Sequence, residues 1–409
     1  MLRVLTLSTL YPNAHQPTLG LFVEHQTRGL AARENVEVEV FAPLALPPAW
    51  PLFGRHYRAL HALPEEEDWR NVVTHRPRFT SVPFARRIAA KSVCQAVWSV
   101  FNWDLWLGEP LPKFDVIDAE FFWPDGVAAM HLAKALGVPL SIKARGSDIY
   151  YWGDRPGIRE QILEAAHAAH GLLAVSDSLK AEMVARGMPA DKIKVHHTGV
   201  DLDLYRPVDR THAKTALGVG GPLLATVGAL IERKGQSFAL DALARLPGST
   251  LLVIGDGPDR AALERRAERL GISGRVRFLG ARPPEEVAQL VAAADVMLLP
   301  TRAEGIANVW VEALACGTPV VTCDAGGARE VIDTPAAGRV VVRDAEALAE
   351  GVRQVLTHAP EPEVVRRSAE RFSWERNAEE LEAHLRSLLP SSLREGSGEG
   401  MSKTPKQPL

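Results

Sequence analysis

The chain has 409 residues, more than one hydrophobic core usually supports, so its length predicts two domains or three. Its 46% hydrophobic and 24% charged residues are typical of a soluble globular protein. The net charge of −3 argues against a protein whose main task is binding nucleic acid, because such proteins carry an excess of Lys and Arg.

The N-terminal residues and the cysteines indicate the compartment. Residues 1–7 form a short apolar run that ends at polar Ser8, which predicts a first core strand and not a signal peptide. No apolar run reaches the length of about 18 residues that a membrane-spanning helix needs. Cys94, Cys316 and Cys323 form neither a CxxC pair nor a Cys/His cluster. We therefore expect a cytoplasmic protein without a disulfide framework or a bound metal.

The first half of the chain alternates apolar runs with helical patterns. Helical stretches are predicted at residues 22–33, 126–136 and 158–170. Strands are predicted at 3–10, 36–42, 116–119, 140–144, 171–175 and 194–197. This alternation predicts an α/β domain over residues 1–205, with a parallel sheet covered by helices.

A turn-rich segment separates the two halves, and we place a hinge near residues 200–210. A second α/β domain is predicted over 206–373, with strands at 223–227, 250–254, 276–279, 296–299, 320–322 and 339–342. A last helix at 374–389 is expected to return to the first domain. The tail at 391–409 has almost no large apolar residues and is predicted to be disordered. Doubly wound sheets bind ligands at the carboxyl ends of their strands, so we expect the active site in a cleft between the two domains.

The strongest local signal lies in residues 300–321. A buried strand ends at Pro300, a loop with Glu304 and Gly305 follows, and a helix over about 307–316 stops at Gly317. Gly305 allows backbone to approach a phosphate without a side chain between them. The first turn of this helix has free backbone N–H groups that can hold a diphosphate. The residues concerned are Ile306, Ala307, Asn308 and Val309.

Two carboxylates flank this predicted phosphate site. Glu304 precedes the helix and can reach past the phosphates toward a sugar, whereas Glu312 lies one to two turns into the helix, where a ribose would lie. A carboxylate that accepts from two vicinal hydroxyls is a natural sugar clamp. An isolated pair of this kind is more often solvated, but the strand–loop–helix setting favours the ligand-binding interpretation.

Glu304 and Glu312 match the E-x7-E motif of the large retaining glycosyltransferase family 4, which has the GT-B fold. The resemblance extends over most of the chain, with matching segments at 145–148, 175–178, 198–201, 227–235, 253–258 and 326–330. It implies two Rossmann-like domains that face each other across a cleft. It also implies transfer of a sugar from a nucleoside-diphosphate sugar to a sugar or lipid-linked acceptor, without a metal or another cofactor.

The resemblance assigns roles to residues of the second half. Glu304 would contact the donor sugar, Glu312 the ribose and Lys234 the diphosphate. A lysine after a strand end can also neutralise a departing nucleoside diphosphate, although a lone loop lysine is usually a surface residue. The family often has a Gly-Arg pair where this chain has Gly228 followed by Ala229, and Arg233 is the candidate to replace that arginine. Gly255 lies in a strand-end turn, either near the nucleotide base or with a purely structural role.

Three residues of the first half complete the candidate site. Gly20 lies in the loop after the first strand, which the family places close to the donor phosphates. Arg145 stands where many members have a histidine that contacts the donor sugar, and it could bind a phosphate or an anionic acceptor. Asp148 could orient Arg145, and a structural Arg–Asp pair is the alternative.

A basic stretch with aromatic residues is open to two interpretations. It indicates either peripheral contact with the inner face of a membrane or an amphipathic core helix followed by a packed loop. The residues are Arg86, Arg87, Lys91, Trp98, Phe101, Trp103 and Trp106.

Other functions of the same fold remain open. A nucleotide-sugar epimerase is one, and a non-catalytic sugar-nucleotide-binding protein is another, favoured by the changes at Ala229 and Arg145. A nicotinamide dehydrogenase fits poorly, because no GxGxxG follows the first strand. UDP-linked hexoses and GDP-mannose are both open as donors.

Overall fold

The computed structural model describes residues 1–48, 54–81, 86–106 and 113–391. The tail at 391–409, predicted to be disordered, lies outside these residues apart from Ser391. The strands are β1 Leu2–Leu7, β2 Val36–Phe41, β3 Leu44–Leu46, β4 Glu66–Asp68, β5 Val73–His75, β6 Arg78–Thr80, β7 Val116–Ala119, β8 Leu140–Ala144, β9 Gly171–Ala174, β10 Ile193–Val195, β11 Leu223–Val227, β12 Thr250–Ile254, β13 Val276–Gly280, β14 Val296–Leu299, β15 Val320–Cys323 and β16 Gly338–Val341.

The α-helices alternate with these strands. They are α1 Leu21–Ala31, α2 Arg55–His61, α3 Ala89–Trp106, α4 Val127–Leu136, α5 Arg159–Ala168, α6 Asp177–Ala185, α7 Arg210–Ala216, α8 Gln236–Ala244, α9 Arg260–Arg269, α10 Pro284–Ala293, α11 Asn308–Ala315, α12 Ala328–Val331, α13 Ala345–Thr357, α14 Pro362–Arg367 and α15 Trp374–Leu388.

The strands build two large sheets, which confirms the predicted α/β class. One sheet has eight strands in the order β10-β9-β8-β7-β1-β2-β5-β4, and it is mixed because β4 runs antiparallel to β5. The other has six strands in the order β13-β12-β11-β14-β15-β16, and its neighbouring strands are parallel. Strands β3 and β6 form a separate parallel pair.

The inner strands of the six-stranded sheet are buried on both faces. Alternate residues of β11 point to opposite faces, with Leu223, Ala225 and Val227 in one apolar cluster and Leu224 in the other. Helices α10, α11 and α14 contribute to the first cluster, and α8, α9 and α13 to the second. Burial on both faces explains why these strands have continuous apolar sequences and could be located from the sequence.

The C-terminal helix α15 packs with the first strand of the eight-stranded sheet. Leu381 and Leu385 are four residues apart and lie on one face of the helix, and Leu389 follows directly after its end. They form an apolar cluster with Leu2 and Val4 of β1.

The chain divides into two compact units. The first comprises Met1–Lys143, Gly153–Leu173 and Ala378–Leu409, and the second comprises Ala144–Trp152 and Ala174–Asn377. The domain limits given under Sequence analysis stay a prediction.

Two differences from the predicted elements have local causes. Strand β1 was expected to continue to residue 10 but ends at Leu7, because Ser8 folds the chain into a turn. The Oγ atom of Ser8 accepts a hydrogen bond from the backbone N–H of Leu10 at 3.1 Å. Strands β3 to β6 were not predicted, because three residues are too few to show a period of two.

Candidate active site

The six-stranded sheet contains a position at which the order of its strands reverses. From β11 the chain proceeds to β12 and β13 on one side and then to β14, β15 and β16 on the other. Such a reversal leaves a crevice at the carboxyl ends of the two central strands, here β11 and β14, where α/β sheets bind ligands. The predicted residues Gly228 and Lys234 follow β11, and the predicted segment from Glu304 to Glu312 follows β14.

Lys234 and Glu304 meet at this position. Lys234 follows β11, Glu304 follows β14, and the Nζ atom of Lys234 lies 2.7 Å from Oε1 of Glu304. Gly235 makes the close approach of the two loops possible, since it has φ +76° and a Cβ there would lie 2.2 Å from the carbonyl oxygen of Pro300. The sequence predicted both residues as ligand-binding groups but not their direct ion pair.

The Glu304 carboxylate accepts two further hydrogen bonds. Thr301 Oγ1 donates to Oε1 at 2.8 Å, and Arg233 Nη1 donates to the same oxygen at 3.2 Å. Arg233 Nη1 also donates to the carbonyl oxygen of Ala303 at 2.6 Å. Arg233 therefore lies beside Lys234 and Glu304, and its role in place of the family's arginine stays a prediction. Thr301 was missed, because a threonine after a strand has no distinguishing sequence signal.

Glycines let neighbouring loops of the second unit pack backbone against backbone. A Cβ on Gly326 would lie 1.8 Å from the carbonyl oxygen of Glu304. The backbone N–H of Gly327 donates to the carbonyl oxygen of Gly305 at 2.7 Å. The loop after β15 thus supports the loop that contains Glu304.

Gly228 and Gly255 form a second close backbone contact. A Cβ on Gly255 would lie 2.1 Å from the carbonyl oxygen of Gly228, and both glycines have positive φ. The side chain of Lys234 passes beside Gly228, with Cε 3.8 Å from the position of an added Cβ. The structure therefore accounts for both glycines by packing and leaves their contact with a nucleotide a prediction.

Helix α11 starts at Asn308 with Ala307 as its N-cap, whose side chain makes no capping hydrogen bond. The first backbone N–H groups of the helix are therefore left for solvent or a ligand. The helix ends as the sequence predicted. Gly317 N–H donates to Leu314 and Thr318 N–H to Ala313, which is the hydrogen-bond pattern of a Schellman cap.

Glu312 lies on α11 and interacts with Tyr205 of the predicted hinge. Burial raises the pKa of Glu312 from 4.5 to about 7, although a hydrogen bond with Tyr205 opposes this shift. Burial likewise raises the pKa of Tyr205, so its hydroxyl stays neutral and can donate. The sequence did not indicate Tyr205 as a neighbour of Glu312, because a tyrosine in a turn-rich segment is usually a buried packing residue.

Arg145 and Asp148 belong to a loop of the second unit. Oδ1 of Asp148 accepts from the backbone N–H groups of Arg145 at 3.1 Å and Gly146 at 2.8 Å. Asp148 thus holds the backbone of the loop that carries Arg145. The loop contacts the donor-side loop, since a Cβ on Gly305 would lie 3.0 Å from the carbonyl oxygen of Arg145.

Gly20 is the N-cap of α1 in the first unit and has φ +65°. A Cβ at this position would lie 2.1 Å from the carbonyl oxygen of Leu10, so glycine is required for packing within the loop. Its predicted proximity to donor phosphates stays a prediction.

The aromatic residues after the basic stretch are at least partly core residues. Phe101 is 1% exposed, and its ring lies 5.4 Å from that of Phe41 and 5.5 Å from that of Trp98. The side chains of Arg86, Trp103 and Trp106 lie outside the described residues.

Two kinds of feature are absent from the part of the chain that the structure describes. None of its helices has the length and hydropathy needed to cross a membrane. Nor do its His, Cys, Asp and Glu side chains form a group of three or more that could hold a metal ion.

Known proteins resemble the chain along most of its length. The model "Glycosyltransferase Family 4" matches residues 19–204, and the model "Glycosyl transferases group 1" matches residues 208–372. The D-inositol 3-phosphate glycosyltransferase of Mycobacterium tuberculosis is 34% identical over 281 residues, which are 64% of this chain and 57% of that protein. The alignment therefore spans less than two thirds of that relative's length.

Two solved structures share the fold. Sucrose-phosphate synthase from Thermosynechococcus elongatus superimposes with a TM-score of 0.74 at 21% identity, covering 95% of this chain and 99% of that one. Anabaena Alr3699/HepE in complex with UDP and glucose gives a TM-score of 0.71 at 21% identity, covering 95% and 100%. Because the two family models together span both halves, the chain belongs to the family 4, group 1 glycosyltransferases of GT-B fold.

Proposed function

We propose that this protein is a retaining glycosyltransferase that moves a sugar from a nucleoside-diphosphate sugar to a hydroxyl group. The observation that carries the proposal is the contact of Lys234 and Glu304 at the strand reversal of the six-stranded sheet. It joins a cation suited to a diphosphate with a carboxylate suited to sugar hydroxyls. Membership of the family and the likeness to a protein bound to UDP and glucose support it.

The donor diphosphate would lie between Lys234 and the first turn of α11. Backbone N–H groups at the start of a helix and a lysine ammonium both stabilise negative charge on phosphate oxygens. This charge increases when the bond between the anomeric carbon and the phosphate oxygen breaks. Arg233, which lies beside Glu304, adds a second positive charge at the same place.

Glu304 and Glu312 would bind the two ends of the donor. Glu304 would accept from hydroxyls of the transferred sugar, and it is held in position by Lys234, Arg233 and Thr301. Glu312 would accept from the ribose hydroxyls. Hydroxyl donors favour the charged carboxylate, so a bound ribose would oppose the rise that burial causes in the pKa of Glu312.

The reaction balances without a further reactant. The acceptor oxygen forms a bond with the anomeric carbon on the face that the phosphate leaves, and the bond to the phosphate oxygen breaks. The proton of the acceptor hydroxyl passes to the departing phosphate, so the products are a glycoside and a nucleoside diphosphate. Exclusion of water would be required, because hydrolysis of the donor competes with transfer.

The first experiment is a thermal-melt screen of the full chain with UDP, GDP, ADP and their common sugar conjugates. A ligand at one hundred times its Kd stabilises a protein by about 2.7 kcal/mol, enough for a clear shift in Tm. UDP and UDP-glucose are the first to try, because the Anabaena structure contains UDP and glucose. We expect one nucleotide class to raise Tm and Glu312→Ala to remove the effect. No shift with any nucleotide would contradict the proposal.

Turnover then separates transfer from the alternatives. Release of the nucleoside diphosphate together with a glycoside of unchanged anomeric configuration, followed by NMR, is the expected result. An epimerase would interconvert sugars without forming a glycoside, and a non-catalytic binding protein would shift Tm without turnover. A cytoplasmic location and peripheral contact with a membrane stay predictions.

A further inference from the structure

The first unit contains a pocket of about 280 Å³ that has not yet been assigned a role. Its walls come from three places: the loop after β1, the residues that follow β2 and continue into β3, and helix α2. The lining residues that carry the argument are Tyr11, Asn13, Gln16, Ala45, His56 and Tyr57.

The pocket lies where ligands bind in α/β sheets. Strands β1 and β2 are parallel neighbours, with Leu7 opposite Phe41 at their ends. Thr9 and Ala42, just beyond those ends, both line the pocket. It therefore opens at the carboxyl ends of β1 and β2, and β1 is also the strand at which the order of the eight-stranded sheet reverses.

Asn13 brings an unpaired hydrogen-bond donor to the pocket wall. Its side chain is fully buried, and its Oδ1 accepts from the backbone N–H groups of His15 at 3.0 Å and Gln16 at 2.9 Å. Its Nδ2 has no hydrogen-bond partner in the structure. A buried amide without a partner is unfavourable, so the site is suited to a ligand that supplies an oxygen.

Aromatic residues form another part of the wall. The rings of His56 and Tyr57 on α2 are 5.0 Å apart, and His56 Nδ1 lies 3.0 Å from His15 Nε2 of the loop after β1. This histidine contact joins two walls of the pocket. Aromatic rings next to amide groups are suited to a sugar, which has apolar ring faces and polar edges.

The described lining of the pocket lacks the long charged side chains that most often bind a phosphate. None of its described lining residues is Asp, Glu, Lys or Arg. Burial raises the pKa of Tyr11, so its hydroxyl stays neutral. Proteins that recognise phosphate use Arg, Lys or helix N-termini, and the first turn of α2 at this pocket belongs to a helix of only seven residues. Neutral hydroxyls need only polar neutral partners.

We propose that this pocket binds the acceptor, and that the part of the acceptor bound here is an uncharged sugar or polyol and not a sugar phosphate. The inference rests on the proposed function, since it names the acceptor class of that reaction. It separates this chain from its mycobacterial relative, whose name specifies a phosphorylated inositol as substrate.

The test is direct binding of acceptor analogues to the full chain by saturation-transfer NMR. The neutral probes are methyl glucoside, methyl galactoside, methyl mannoside and inositol. The phosphorylated probes are glucose 6-phosphate, mannose 6-phosphate and D-inositol 3-phosphate. We expect at least one neutral probe to bind about tenfold more tightly than every phosphorylated probe. Equal or tighter binding of a phosphorylated probe, or no binding of any neutral one, would overturn the proposal.

Two variants locate the binding. Ala45→Trp fills the pocket from an exposed strand position that contributes no core contact, so we expect a folded protein with neutral-probe binding reduced more than tenfold. Ala62→Trp is the matched control, because Ala62 is also exposed, lies in the same unit and does not line the pocket. Equal binding by Ala45→Trp and its control would place the sugar elsewhere and overturn the proposal.

Asn13→Asp examines the amide itself. Asp keeps an oxygen that can accept from His15 and Gln16 but removes the N–H donor. We expect neutral-probe affinity to fall several-fold while the melting transition stays cooperative, and unchanged affinity would contradict the role of Nδ2. The nucleotide melt screen reports on the proposed function separately. A protein that binds neutral sugars in this pocket but no nucleotide would keep the site and lose the transferase assignment.

Discussion

The two candidate ligand sites of this molecule differ in charge. In the second unit, Lys234, Arg233 and Glu304 meet within hydrogen-bond distance where the strand order reverses. In the first unit, none of the described residues that line the pocket after β1 and β2 is Asp, Glu, Lys or Arg, and a buried polar group there is the amide of Asn13. Under the two proposals, similar strand-end positions serve a charged nucleotide in one unit and a neutral sugar in the other, and the side chains that the loops supply make the difference.

The sites also differ in what holds them in place. The Glu304 loop is fixed by backbone contacts that only glycine allows, as at Gly326. At the pocket in the first unit, Tyr57 is one of the lining residues, and the His15–His56 contact joins the loop after β1 to α2. Substitution of Gly326 should therefore disturb the Glu304 loop, whereas a change of side-chain size at Ala45 should reshape the pocket.

The largest expected effect comes from Lys234→Ala or Glu304→Ala. Each variant removes one partner of the 2.7 Å contact, and loss of a preorganised charge partner in an active site costs about 10²–10³ in kcat. Steady-state transfer assays measure the effect, with circular dichroism to confirm folding. Arg302→Ala is the control, since Arg302 is exposed and next to Thr301. Near-normal turnover in both variants, or an equal loss in the control, would contradict the site assignment.

Gly326→Ala is expected to affect both stability and activity. A Cβ would lie 1.8 Å from the carbonyl oxygen of Glu304, and the residue has φ +55°, so the two loops must separate. We expect a loss of about 1–3 kcal/mol in the free energy of unfolding, measured with urea, together with reduced transfer. Gly274→Ala serves for comparison, because a Cβ there meets no atom within 4 Å. Equal free energies of unfolding for the two variants would contradict the packing argument.

The raised pKa of Glu312 predicts a pH dependence. The folded state holds this proton up to about pH 7, whereas the unfolded state loses it near 4.5, so stability falls as pH rises between these values. Glu312→Gln should remove this loss, which we expect to be roughly 1–3 kcal/mol in urea titrations at pH 5 and pH 8.

Nucleotide binding should show the opposite trend. Ribose hydroxyls donate to the charged carboxylate, so affinity should rise up to about pH 7 and then level off. Glu312→Gln should bind about tenfold more weakly at pH 8 and with little pH dependence, as measured by calorimetry. A wild-type affinity that does not change between pH 5.5 and pH 8 would contradict a ribose contact.

The smallest expected effect is that of Tyr205→Phe. Its hydroxyl opposes the rise in the Glu312 pKa, so removing it should raise that pKa further and move the midpoint of the binding curve to higher pH. A single hydrogen bond contributes about 0.5–1.5 kcal/mol, which corresponds to a roughly 2–10-fold weaker nucleotide affinity at pH 7. Equal loss at pH 6 and pH 9 would instead indicate a structural role.

The sequence predicted the second sheet well for a physical reason. Strands such as Leu223–Val227 are buried on both faces and are bounded by turn residues, so composition alone marks them. Strands β3 to β6 are short and lie at the edge of the first sheet or in a separate pair, where no periodicity develops. Because these strands were not predicted, the pocket of the first unit, which β3 helps to line, could not be predicted either.

The candidate site was predicted residue by residue but not as an arrangement. Glu304, Glu312 and Lys234 stood out because they match a motif or follow a strand end. The meeting of Lys234 with Glu304 depends on β11 and β14 being neighbours, which is a property of strand order and not of local sequence. Tyr205 and Asn13 could be found only from their contacts, since each occupies a loop with many possible conformations.

The glycine contacts between the loops after β14 and β15 matter for engineering. The backbone of Gly327 is bonded to that of Gly305, and Gly326 packs on Glu304, so neither loop can be randomised without disturbing the other. Libraries aimed at new products would therefore keep these loops fixed. Such libraries would instead vary positions such as Ala45 and Gln16, which line the pocket of the first unit.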